Sequence, residues 1–200
     1  MTPVHRMSKQ TMTDTKSKIR ELVMKINPVD AAEAEHIKDA VRWIESTNDI
    51  FRLQKPDIPP KHLVSYAVLL DVPNKKVLLM DHINAELWLP CGGHVEPGEH
   101  PKNAALRELK EELNLEAKLI KDEPLFITIT ETVGRTSGHT DVSLWYAVGG
   151  NSADEVKFDE SEFKGARWFE FDEILNGDPR SFDPHIMRFI KKAVQLLRES

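Results

Sequence analysis

The sequence predicts an α/β fold, a mixed β-sheet flanked by helices and preceded by a helical extension. Three observations carry this expectation. Short β-like runs recur between residues 62 and 171, one strongly helical acidic segment sits among them, and amphipathic helical stripes occupy both ends of the chain. With 200 residues and 40% hydrophobic content, the chain can bury a substantial core as one main domain plus an extension.

Residues 1–14 are polar and show no periodicity, so they are expected to be a disordered tail. The extension, residues 15–55, should hold two helices. The first carries Ile19, Leu22, Val23 and Ile26 at helical spacing and stops at Asn27-Pro28. The second starts at Asp30, an N-cap with Glu33 three residues on, and its stripe is Ile37, Ala40, Val41 and Ile44. Both stripes need a partner surface, either the chain's own main domain or a second copy in a homodimer. Pro56, Pro59 and Pro60 make the stretch from Gln54 to Lys61 a linker.

Strands are expected at residues 62–71 and 76–81, joined by a turn at Pro73-Asn74, and then at 87–89, 117–120, 125–131, 142–148 and 166–171. A helix should begin near Pro101, where the missing N–H of proline costs nothing, and continue through a helix-favouring run. Leu106, Leu109 and Leu113 would face the core. The final helix is capped by Asp183, has Pro184 at its first position and buries Ile186, Phe189, Ile190, Val194 and Leu197.

The chemistry concentrates between Gly93 and Leu115. On a 3.6-residue period Glu108, Glu111 and Glu112 gather on one side of the helix, with Ala104 one turn earlier leaving room for something to approach. Like charges at these spacings oppose helix formation by roughly 0.2–0.5 kcal/mol per pair. A hard divalent cation reverses that sign, and oxygen-only donors suit Mg²⁺ or Mn²⁺. The plain alternative is a solvated acidic face softened by Arg107. Gly92, Gly93 and Gly98 permit tight backbone turns just before it, and Glu96 and Glu99 add carboxylates.

Gly93, Glu99, Arg107, Glu108, Leu109, Glu111, Glu112 and Leu115 match in register the Nudix box, so the segment resembles that family. The one departure is Asn114 where the family has Gly, and Asn is the next most tolerant residue for a left-handed helix cap. The resemblance spans about residues 61–198 and implies a Nudix-type α/β/α sandwich with a mixed β-sheet. Trp88 to Glu99 and Gly138 to Tyr146 are similar to a bacterial Nudix subgroup with an N-terminal helical extension, a likeness that assigns no substrate.

The resemblance implies attack of water on a diphosphate within a nucleoside diphosphate-linked molecule. It implies Glu108, Glu111 and Glu112 as metal ligands, with Glu111 or Glu112 also holding or deprotonating the water and the carbonyl of Gly92 or Gly93 completing the shell. Arg107 would orient a carboxylate, and Glu99 would pair with it. A carboxylate outside the box can be the general base, and the acidic stretch Asp159, Glu160 and Glu162 offers Glu162 first and Glu160 second. Alternation along residues 139–146 puts Asp141, Ser143 and Trp145 on one face, a polar row ending in a ring that suits hydrogen bonding and stacking on substrate. His82, His94 and His139 could bind phosphate or metal, but each taken singly reads as a structural residue.

The net charge of −6 and a pI near 5.8 exclude a broad nonspecific nucleic-acid surface, so the expected partner is a small nucleotide-type substrate. Cys91 is the sole cysteine, which leaves no intramolecular disulfide and reads as a packed thiol. The first twenty residues lack a signal-type apolar stretch and no run of about twenty apolar residues occurs, so the expected location is cytoplasmic, away from membranes. The leading expectation is a Mg²⁺-dependent hydrolase of a nucleoside triphosphate or oxidised nucleotide. Two other classes stay open. One is a catalytically silent nucleotide-binding module. The other is an isopentenyl-diphosphate isomerase-like enzyme, which needs a catalytic cysteine.

Overall fold

The computed structural model describes residues 9–198. Two helices, α1 (Lys9–Met24) and α2 (Ala31–Ser46), precede the sheet. The strands are β1 (Lys61–Asp71), β2 (Lys76–His82), β3 (Leu87–Leu89), β4 (Cys91–His94), β5 (Phe126–Glu131), β6 (Thr140–Gly149) and β7 (Phe163–Glu170). Helix α3 (Pro101–Leu113) lies between β4 and β5, and α4 (Phe171–Asn176) and α5 (Ile186–Arg198) close the chain.

The seven strands form one sheet with the path β3-β2-β1-β6-β5, while β4 pairs with β1 and β7 with β2. Strands β1 and β6 run parallel through ten residue pairs, from Lys61 with Thr140 to Leu70 with Gly149. The other pairs are antiparallel, which makes the sheet mixed as expected. One face carries Leu63, Ala67, Leu69, Val142, Leu144 and Tyr146 against α1, α2 and α3. The opposite face carries Val68, Leu70, Val77, Leu79, Trp145 and Ala147 against α4 and α5. Period-two alternation along β1 and β6 thus divides their side chains between two cores. The result is an α/β/α sandwich.

The extension is part of this core. Ile19, Val23, Ile26, Ala40 and Ile44 are buried in the same cluster as β1, β6 and α3, so the stripes are spent within the chain. Glu33, a first-turn residue by its spacing from Asp30, is wholly buried. Its carboxylate accepts from Val29 N and Lys192 Nζ at 2.7 Å each and from Ile127 N at 3.4 Å. Ile127 lies on β5, the last strand of the path. The buried carboxylate thereby satisfies an outward N–H on a sheet edge that would otherwise stay open. Asp30 caps α2 by accepting from Glu33 N and holds Arg188 of α5 through two oxygens at 2.7 and 2.8 Å.

Several expectations change. Residues 9–14 are helical rather than disordered, because α1 begins at Lys9; residues 1–8 of the expected tail lie outside the described residues. Residues 117–120 form no strand, only an isolated bridge between Leu119 and Val148. Strand β4 was not expected, since a pair of glycines carries little β signal; it is made by pairing with β1, Ala67 opposite Cys91 through Val64 opposite His94. Leu106 is half-buried, whereas Ala104 and Ala105 sit in the core. Ala104 is therefore a packing contact and leaves no opening. Helix α5 starts at Ile186, with Asp183 accepting from His185 N at 2.7 Å just ahead of it.

Candidate active site

Helix α3 is fixed at both ends. His100 caps its start, Ser65 Oγ donates to Pro101 O at 2.7 Å, and Asn114 ends it in the left-handed conformation (φ 51°, ψ 33°) with its N–H directed to Leu109 O and Lys110 O. With Ala104, Ala105, Leu109 and Leu113 packed against the sheet, the helix has one rotational setting, and Glu108 and Glu112 point toward β4. The Gly92 N–H donates to Glu112 Oε2 at 3.3 Å. A Cβ on Gly93 would stand 2.6 Å from Glu108 Oε1, so only glycine lets the strand and the carboxylate approach this closely.

Arg107 is the cation of this cluster. Its Nε and Nη2 each bond Glu99 at 3.0 Å, its Nη1 bonds Glu108 Oε1 at 2.7 Å and Glu111 Oε2 at 3.2 Å, and its Nη2 also reaches His94 O at 3.1 Å. One guanidinium therefore joins the loop, the helix and β4. The carboxylates differ in exposure. Glu112 is buried and Glu108 nearly so, while Glu111 reaches solvent. Burial pushes Glu112 up to about 8, against a hydrogen bond from the Cys91 thiol, with the charges of Glu108 and Glu162 raising it further. Burial likewise raises Glu108, opposed by Arg107 and reinforced by Glu111 and Glu162. Glu162 is thus the residue of the acidic stretch whose charge acts on the box; its N–H is held by Asp159 O and its carbonyl by Ile83 N.

A cavity of about 770 Å³ opens beside the cluster and meets it at Gly92 and Gly93. Its walls include Asp141, Ser143, Thr128 and Thr130 from the sheet and the cations Arg52, Lys55, Arg135 and Arg180. That volume suits a small ligand.

The NUDIX domain family matches residues 61–190, more than half of the chain. The chain belongs to the Nudix family. It is accordingly an enzyme of the pyrophosphohydrolase type. Nudix hydrolase 25 of Arabidopsis thaliana is 28% identical over 137 residues, which cover 60% of this chain and 78% of the plant protein. The m7GpppN-mRNA hydrolase NUDT17 of Xenopus laevis is 49% identical over 57 residues, 26% of this chain and only 19% of the frog protein. Among solved structures, a Nudix-family hydrolase from Clostridium perfringens superposes with a TM-score of 0.53 at 23% identity, covering 68% of this chain and 97% of its own. A C. elegans Ap4A hydrolase binary complex gives 0.55 at 20% identity, covering 69% and 98%. These two likenesses show the fold.

Within this Nudix domain, Asp141 and Ser143 line the cavity as the alternation predicts, but Trp145 does not. It is fully buried, donates its N–H to Thr128 Oγ1 at 3.0 Å and stacks on Phe189, so its ring belongs to the core beneath α5 and is not a platform for substrate. Glu160 is exposed. His94 and His139, each of which reads as structural when taken singly, stand together with His62, which no local pattern marks. His94 is held down to about 3, by burial first and then by Arg52, His62 and His139. Among the described residues no helix is long and apolar enough to cross a membrane.

Proposed function

We propose that the chain hydrolyses a diphosphate linkage in a nucleoside diphosphate-linked small molecule in a Mg²⁺-dependent reaction, with nucleoside triphosphates or oxidised nucleotides as the preferred class. The observation that carries this reading is the approach of buried Glu112 and largely buried Glu108 to Gly92 and Gly93, the two residues through which the cluster meets the cavity. An all-oxygen donor set that repels itself fits a hard cation, Mg²⁺ or Mn²⁺. Glu108, Glu111, Glu112 and the carbonyl of Gly93 would hold it. When bound, such an ion neutralises a diphosphate and lowers the pKa of the attacking water.

The chain's own groups supply the rest. Arg107 orients Glu108 and Glu111 and pins Glu99 of the preceding loop. Glu162 is favoured over Glu160 as the base that takes the proton of the water, because its charge already acts on Glu108 and Glu112. Asp141 and Ser143 offer polar contacts to substrate, and Arg52, Lys55, Arg135 and Arg180 offer positive charge to its phosphates. The activity carried in the name of the frog relative supports a nucleotide-type substrate.

A silent binding module is less well supported, since no carboxylate of the set is missing. The isomerase-like reading meets a physical obstacle at Cys91, whose buried thiol is raised well above its ordinary range and bonds Glu112. The test is to incubate the full chain with pooled nucleoside triphosphates, nucleotide sugars and dinucleotides, with and without Mg²⁺, beside Glu112→Gln. Turnover that needs Mg²⁺ and disappears in the variant is the expected result. No turnover in any pool would shift the reading to a binding module.

A further inference from the structure

Four chain segments converge on the cavity wall beyond Gly93. Asp57 comes from the proline loop, His62 from β1, His94 from β4, and His139 with Asp141 from the start of β6. Donor atoms of Asp57, His62, His94 and His139 all lie within 4.8 Å of one another. We infer that His62, His94 and His139, with Asp141 and Asp57, form a binding site for a transition cation of the Zn²⁺ class, separate from the glutamate set.

The direction of His62 is the first support. Its Nδ1 lies 2.8 Å from Pro59 O. A carbonyl can only accept, so Nδ1 carries a proton, and in the neutral ring the lone pair is on Nε2, which faces the cluster. That nitrogen is 3.0 Å from His94 Nε2 and 3.4 Å from Asp141 Oδ1. A second ring nitrogen held by an oxygen is the arrangement that orients metal-binding imidazoles, and His139 has its Nδ1 3.2 Å from Thr132 Oγ1. Asp141 Oδ1 stands 3.3 Å from His139 Nε2, and Asp57 Oδ2 stands 3.4 Å from His139 Nδ1.

Asp141 is the second support. Its Oδ1 is buried and forms no hydrogen bond although two imidazoles flank it. A buried carboxylate oxygen without a donor is costly unless a cation meets it.

The spacing is the third. Tetrahedral donors about 2.0–2.1 Å from Zn²⁺ stand about 3.3–3.4 Å from one another. The gaps of 3.0, 3.3 and 3.4 Å lie close to that edge length, and the donors of Asp57, His62, His94 and His139, all within 4.8 Å of one another, would draw together around an ion. Three imidazoles select Zn²⁺ or a neighbouring transition ion and not Mg²⁺, whereas the all-oxygen glutamate set has the opposite preference. His94, His139, Asp57 and Asp141 border the cavity and His62 lies behind them. An ion here would clip the proline loop to three strands beside the substrate.

The test uses the full chain, stripped with a chelator and titrated with Zn²⁺ and with Co²⁺ in the presence of excess Mg²⁺. The wild type is expected to take one equivalent of Zn²⁺ that Mg²⁺ does not displace, to show visible Co²⁺ absorption of a nitrogen-rich low-coordinate site, and to melt at a higher temperature with Zn²⁺. His94→Gln should weaken Zn²⁺ at least tenfold, and Asp141→Asn, a nearly isosteric change checked by circular dichroism, should do the same if His94→Gln fails to fold. The double variant Glu111→Gln/Glu112→Gln should keep the equivalent. Absence of Zn²⁺ binding that resists Mg²⁺ would overturn the inference and leave a hydrogen-bonded imidazole cluster. So would binding that survives His94→Gln and Asp141→Asn but is lost with the glutamates.

Discussion

Gly93 admits the Glu108 carboxylate at a distance that a methyl group would occupy. The conflict in Gly93→Ala falls on the far end of a flexible side chain and not on backbone, so the fold should survive while Glu108 is displaced. Steady-state kinetics should show kcat/KM lower by about 10–100-fold, the scale of a misoriented ligand, with the melting temperature nearly unchanged. Asp183 belongs to the same scale. Burial raises its carboxyl to about 7, against the amides of His185 and Ile186. The native state then keeps a proton that the unfolded chain releases near pH 4, so this group's contribution to stability falls as pH rises from about 4 to about 7. The fall is on the order of a few kcal/mol. Asp183→Asn keeps the acceptor oxygen and removes the titration. Denaturation midpoints should therefore show the variant gaining on the wild type between pH 4 and pH 8.

At the scale of elements, α2, α5 and β5 are joined through one buried ion pair, Glu33 with Lys192, at 2.7 Å and with side chains 0% and 6% exposed. Glu33→Ala strands the ammonium and the Ile127 amide together and should cost about 3–5 kcal/mol in urea denaturation. Adding Lys192→Met should recover part of that loss, because the uncompensated charge is then gone. The sequence made the ends of helices legible and hid what lies between them. Asp30, Asn114 and Asp183 announce their roles because a cap is a contact over a few residues. Glu33 is also near a cap, but its decisive partner is 159 positions away, and no local pattern carries that. Strand β4 was hidden for a related reason, since its conformation is imposed by β1 and not by its own glycines. The glutamate row was visible because one helical turn brings all three residues together. The imidazole cluster was not, because His62 on β1, His94 on β4 and His139 just before β6 are collected from segments whose alignment is a property of the sheet.

For the whole molecule, the proline loop is not a domain boundary in the packing sense. Ile19, Val23, Ala40 and Ile44 complete the core beneath β1 and β6, so residues 61–198 alone would expose that apolar face and the β5 edge. The fragment is expected to be aggregated or to melt well below the full chain, as size-exclusion chromatography and thermal scans would show. The family match, which begins at residue 61, therefore marks where the recognisable sequence begins and not where the stable unit does. The same sealed core encloses the only thiol of the chain. Cys91 lies on β4 opposite Ala67 and is 2% exposed. A thiol reagent can reach it only when the strand lifts from its neighbours. Its labelling rate is then a clock for local opening of the strand beside the glutamate cluster, readable with and without added nucleotide and requiring no introduced probe.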